Sequence, residues 1–248
     1  MKRENKTIVK FLATVLVAGI IGGIAGFLSG HFETSLAWLL MKMRGLLLST
    51  APYALVILNL IFLGTAAAYY FKSSGMNKAE GCQTEENEEV YNRIDKTAGL
   101  AISLTSVGLI LNLLWFCFTS LAYFGHYITS TGLGVAIIAF ALFSGVSIFL
   151  QRVIINFVKK LNPEKQGEAL DRNFQKDWFG SFDEQERIAA YKAAFQVYRT
   201  SPALYIGIFL VLIFTSFVVD IGVAPFLVWG VLWLTQTIVY LKETMKHS

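Results

Sequence analysis

A chain of 248 residues with 55% hydrophobic and only 15% charged residues falls far below the roughly 25% charged usage of soluble domains, which excludes a water-soluble globule. Its length suits one helical bundle and leaves nothing resembling a second domain of ~100 residues. The net charge of +4 does not signal direct nucleic-acid binding, because the basic residues are spread over several segments and interleaved with carboxylates.

None of the 21 Lys and Arg or 17 Asp and Glu residues falls within 11–30, 45–71, 97–125, 127–151, 200–219 or 221–241. A bilayer core about 30 Å thick takes about 20 helical residues at 1.5 Å each, so each stretch is long enough to cross. The pattern predicts an all-α, polytopic membrane protein, a single integral domain over 1–248. Its six transmembrane helices are expected at about 8–30, 52–71, 98–123, 131–151, 202–219 and 221–241, with loops at 72–97 and 152–200. Nineteen Lys and Arg residues fall in the termini and these two loops, counting Lys10 at the edge of the first span, and only Lys42 and Arg44 fall in the alternate set. The positive-inside rule then puts both termini and both loops in the cytoplasm, and the chain in the cell membrane. The bilayer is the first expected partner.

In the first span Gly22, Gly26 and Gly30 recur every four residues, with Gly19 and Gly23 on an adjacent ridge. Small residues at this spacing let another backbone approach closely, within the chain or in a homo-oligomer. The basic start is not a cleaved leader, since the apolar run exceeds a signal h-region and no small-x-small site follows. Beyond His31, the stripe Leu36, Leu39, Leu40, Met43 and Leu47 predicts a short separate helix lying in the outer interface. Pro52 suits the first turn of the second span.

The loop 72–97 opens with Ser73, Ser74 and Gly75 and carries Glu85, Glu86, Glu88 and Glu89, a flexible connector whose carboxylates face the positive end of a helix containing Val90, Tyr91 and Ile94. Glu88, Glu89 and Arg93 also spell a pattern seen in some intramembrane proteases, but in a hydrophilic loop and with no F-x-x-x-H or second buried His after it. Cys82 in this loop and Cys117 in mid-span are predicted to differ in depth, so no disulfide is expected. Tight hairpins are predicted over 125–132 and around Asp220.

In the loop 152–200, Val153, Ile154, Phe157 and Val158 continue the fourth helix until Asn162 and Pro163 stop it. A further helix is predicted from Ser181, where Glu184 completes a capping-box pattern, and its apolar stripe Ile188, Tyr191, Ala194, Phe195 and Tyr198 runs toward Pro202, the expected start of the fifth span.

His31, Glu33, His126 and Asp220 share the predicted outer level, yet nothing in their spacing makes them converge on a metal. No H-E-x-x-H, G-x-S-x-G, Walker or dinucleotide pattern occurs, so no catalytic residue, metal or cofactor is expected and the chain is read as a non-enzyme. Asn59, Asn112 and Gln236 are the strongest polar groups at membrane depth. Small-solute transport is the alternative function, and it predicts a polar cavity between those three residues.

The stretch KDWFGSFDEQERIAAYKAAFQVY, Lys176 to Tyr198, resembles the inner-loop signature of a bacterial membrane family, the domain-of-unknown-function family thirty-one sixty-nine. Trp178, Ser181, Asp183, Glu184, Glu186 and Tyr191 carry the resemblance, and Phe182 stands where the family often has Cys. Such proteins are frequently encoded beside small helix-turn-helix regulators. The resemblance therefore implies a regulatory or protective membrane protein whose loop contacts a soluble regulator through Trp178, Asp183, Glu184, Glu186, Tyr191, Phe195 and Tyr198.

Overall fold

The computed structural model describes the backbone of residues 2–79 and 88–246, and side-chain surroundings over 35–79 and 89–245 together with Leu16, Gly19 and Gly23. Described residues form helices only: α1 (Lys2–Ala79), α2 (Glu88–Phe124), α3 (Ser130–Leu161), α4 (Phe174–Gly180), α5 (Glu184–Ser216) and α6 (Ala224–Lys246). Five of these helices, α1 from Ser35 onward with α2, α3, α5 and α6, are long and apolar enough to cross a membrane. Within the first predicted span, 8–30, side-chain surroundings are described for Leu16, Gly19 and Gly23 alone, and Cys82 lies outside the described residues. The chain divides into two compact units, Met1–Lys42 with Ala189–Ser248, and Met43–Ile188.

Three expectations of helix extent need correction. Ser73, Ser74 and Gly75, expected to open a flexible loop, continue α1, with Ser73 Oγ donating to Ile94 O at 3.0 Å, while Glu85 and Glu86 lie outside the described residues. The separate interfacial helix over 36–47 is instead part of α1, because no proline or loop-forming run interrupts these helix formers. Pro52 and Pro202 lie inside α1 and α5 rather than at helix starts. Each follows two hydroxyl residues that bond back to the preceding turn: Ser49 and Thr50 to Leu46 O at 3.0 and 2.8 Å, Thr200 to Gln196 O at 3.0 Å and Ser201 to Val197 O at 2.7 Å. Such back-bonding is a common companion of proline in membrane helices.

In the 43–188 unit, α2 and α3 form a hairpin closed by a Schellman motif. Tyr127 N bonds Ala122 O at 2.9 Å and His126 N bonds Tyr123 O at 3.0 Å, with His126 at φ 61° in the left-handed position that glycine usually fills. Thr129 caps α3 by accepting from Gly132 N at 3.2 Å. At mid-helix Asn59 of α1 donates to Leu55 O at 2.7 Å and to Asn112 Oδ1 at 2.8 Å, while Asn112 donates to Phe140 O at 3.2 Å and Ser144 Oγ at 2.9 Å. Three helices are thus tied by one polar knot. Toward the loop end, Ala98, Ala101, Ile154 and Val158 form a buried core covered by Tyr70, Phe157 and Trp178.

In the other unit α5 and α6 meet through a ladder of rings. Tyr198 stacks on Tyr240 at 4.0 Å, Tyr205 on Trp233 at 5.6 Å and Phe209 on Trp229 at 4.6 Å, and Trp229 Nε1 donates to Tyr205 O at 2.8 Å. Ring positions advance by seven and then four along α5 and retreat by seven and then four along α6, the spacing that keeps one helical face toward an antiparallel neighbour. The connecting turn is set by Gly222 at φ +67°, whose N–H bonds Asp220 Oδ1 at 2.9 Å.

Candidate functional site

The segment following α3 folds back onto the start of α2 and encloses a lysine. Asn162, extended as a residue before proline should be, closes α3 with its N–H on Val158 O at 2.8 Å. A turn with Lys165 N on Asn162 O at 3.1 Å then directs Lys165 inward, where the residue is only 7% exposed. Its ammonium pairs with the Glu186 carboxylate and lies over the Phe182 ring, 4.5 Å from the centroid, with the Trp178 ring at 6.0 Å. An ammonium this withdrawn from water needs both a counter-ion and π faces to be tolerated.

Around this lysine the backbone is fixed at several points. Lys159 Nζ donates to Gly167 O at 3.0 Å, and Gly167, at φ +108° with the Phe174 ring 3.1 Å from where a Cβ would lie, takes a backbone conformation strained for any other residue in a tight surrounding. Arg152 pairs with Glu168 at 3.2 Å, a half-exposed bridge of small energetic value. Trp178 of α4 seats on the core between α2 and α3, and Ser181 ends α4 by donating to Trp178 O at 2.7 Å.

The start of α5 departs from the predicted cap. Asp183 accepts from Glu186 N at 2.7 Å and Glu186 accepts from Asp183 N at 3.0 Å, so the capping box is Asp183 with Glu186 and not Ser181 with Glu184. The predicted pair fails because Ser181 is already engaged by α4. Arg187 Nη2 donates to Gly180 O at 2.9 Å and joins the two helix ends. Glu186 therefore serves two neighbours at once, the α5 cap and Lys165.

Asp95 and Tyr91 face this cluster from α2, ahead of the uncharged stretch that begins at Thr97. Withdrawal from water raises the Asp95 carboxyl above the ordinary carboxylate range, the negative charge of Glu186 adds to the rise, and Lys165 opposes it. The Tyr91 phenol is raised as well, first by desolvation and then by Asp95, while a hydrogen bond from the Asn162 side chain works the other way. One buried ammonium thus answers two carboxylates, Glu186 directly and Asp95 through its charge.

Of the residues singled out from sequence, Trp178, Asp183 and Glu186 come together around Lys165. Glu184 opens α5, Tyr191 and Phe195 are exposed along it, and Tyr198 is taken up by Tyr240. Tyr191, Phe195 and Tyr198 belong to the other unit. Asn59 and Asn112 are buried at 3% and 1% exposure and spend their amide hydrogens on protein acceptors, while Gln236 lies in the other unit, so no polar cavity opens at the Asn pair. A Cβ at Gly19 or Gly23 would meet no atom within 4 Å; Gly22, Gly26 and Gly30 lie outside the described surroundings. Sequence reasoning missed Lys165. Its only local signal is its place two residues beyond Pro163, where a turned chain brings a side chain back over the helix it has left.

A family model described as "Protein of unknown function (DUF3169)" matches residues 5–244. No curated protein and no solved structure matches the chain.

Proposed function

The chain belongs to the DUF3169 family, and from that premise we propose that it is a non-enzymatic integral membrane protein of regulatory or protective type, whose loop 152–200 faces the cytoplasm and docks a soluble partner such as a transcription regulator. The observation that carries this reading is the use made of the signature residues. Trp178, Asp183 and Glu186 are spent on holding the lysine cluster and on launching α5, so the loop is a built element and not a passive connector. From that fixed start α5 carries exposed Ile188, Tyr191 and Phe195 at helical spacing. Apolar and aromatic residues so displayed are the kind that anchor interfaces. The inward orientation is supported by the nineteen-to-two partition of basic residues.

Copurification from membranes tests the proposal. Wild type retains a soluble protein that an Ile188→Asp, Phe195→Asp variant loses, both being equally folded by melting. Tyr198 is left intact because it holds Tyr240. Identical recovery from both proteins removes the docking role, and a reporter fused within 152–200 that is active only outside the cell removes the orientation.

A further inference from the structure

Between the middle of α1 and the start of α3, at the end of α3 away from the lysine cluster, a cleft of about 610 Å³ opens in the 43–188 unit. Tyr53, Val56 and Ile57 of α1 form one wall, and Tyr127, Thr131 and Val135 form the other. Its volume is that of a site for a ligand of a few tens of atoms. From Ser49 to Ile57 the α1 wall rises about 12 Å at 1.5 Å per residue, and it stops just short of the buried Asn59–Asn112 knot.

Its lining changes character along its length. Beyond the tyrosines Val56, Ile57 and Val135 make the lining aliphatic, and no Lys, Arg, Asp or Glu is among the described residues that line it. Hydroxyls collect at the rim. Ser49 donates its hydrogen to Leu46 O, while Thr129 accepts from Gly132 N and keeps its own hydrogen, which leaves Tyr53, Tyr127, Thr129 and Thr131 as rim donors. The mouth lies where the uncharged stretches begin, the depth at which tyrosines mark the boundary between headgroups and hydrocarbon. Neighbouring Ile138 and Leu142 of α3 are exposed, as residues facing lipid should be.

A ligand matching this gradient has an aliphatic end about half a leaflet long and a polar end rich in acceptors. We propose that the cleft is a lipid site that holds one acyl chain of a glycerophospholipid against Val56, Ile57 and Val135, its ester and phosphate oxygens accepting hydrogen bonds from Tyr53, Tyr127 and Thr131. The absence of any lining cation favours neutral donors to ester and phosphate oxygens over a headgroup-specific ion pair. The site goes beyond the docking role and requires only that the chain be embedded in a bilayer.

The full chain, reconstituted in phosphatidylcholine and phosphatidylglycerol vesicles containing a phosphatidylcholine with a diazirine on its acyl chain, is irradiated and its adducts are mapped by mass spectrometry. Adducts at Val56, Ile57 and Val135 should exceed those at Ile138 and Leu142 several-fold and saturate with probe. Val135→Trp fills the cleft and should abolish that excess while labelling at Leu142 persists. Should it fail to fold, Thr131→Val with Tyr53→Phe keeps the volume and should reduce the excess. Uniform labelling of an embedded chain, or an excess that survives both sets of substitutions in folded protein, overturns the site alone. A chain stripped from the vesicles by alkaline carbonate overturns the membrane reading and the site with it.

Discussion

Asn59 donates to Asn112 at 2.8 Å, and between them the two amides place all four of their hydrogens on protein acceptors. Such saturation is what allows two carboxamides to lie at membrane depth without water. Asn112→Leu strips Asn59 of a partner and leaves Phe140 O and Ser144 short of a donor, so it should lower stability by about 1–3 kcal/mol. Replacing both asparagines by leucine should cost less than the sum of the single changes, because no orphan amide remains. Thermal melting of the four proteins in one detergent reads both outcomes; strict additivity would mean that the two side chains do not interact.

The shifted capping box separates two neighbouring acids. Asp183→Ala should destabilise the start of α5 by about 0.5–2 kcal/mol, while Glu184→Ala, which touches neither arm of the box, should be close to neutral. Amide hydrogen exchange at residues 185–188 reports the fraying directly.

Lys165 and Glu186 form a pair whose members differ in exposure, at 6% and 37% of their side-chain surfaces. Lys165→Met removes the cation that answers Glu186 and Asp95 among the described residues and should cost about 1–3 kcal/mol, below the fully buried limit because water still reaches Glu186. Adding Glu186→Gln should recover part of that loss, read by chemical unfolding in detergent.

Asp95 gives a pH dependence with a definite sign. A carboxyl whose pKa is raised by folding binds its proton more tightly in the folded state, so its contribution to stability is fully present below the unfolded pKa and is lost as pH rises through the raised folded value. Asp95→Asn should therefore melt higher than wild type at neutral pH, and the difference should shrink as pH falls through the acidic range. A difference that grows on acidification would contradict the raised pKa.

His126 occupies the left-handed position of the α2–α3 turn at φ 61°. His126→Gly removes the Cβ penalty there, offset in part by a freer unfolded chain, and should stabilise by up to about 1 kcal/mol. Melting temperature checks the direction.

The placement of helices was largely legible, because charge avoids apolar stretches for a reason that acts residue by residue. Residues 98–123, 131–151, 202–219 and 221–241 fall within or overlap α2, α3, α5 and α6, and α3 ends at Asn162 as Pro163 requires. Both hairpins are where loss of helical pattern put them, at Gly125–Thr129 and at Asp220. Boundaries set by proline were less legible, since soluble-helix rules place Pro52 and Pro202 at helix starts whereas both lie inside helices, each after hydroxyls that bond the preceding turn. Signature residues were recognisable, but not their neighbours. What joins Glu186 to Lys165 and Asp95 is a fold-back across three elements, and no periodicity encodes which lysine of nine basic loop residues turns inward.

The ring ladder of α5 and α6 constrains how this hairpin can change in length. A residue inserted in the turn between Ser216 and Ala224 leaves the facing rings in register, whereas one inserted between Trp233 and Tyr240 swings Tyr240 by about 100° off Tyr198. Insertions and deletions in homologous chains should therefore collect at the turn and spare the ladder, and a shift confined to one of these helices should be matched by a compensating shift in the other.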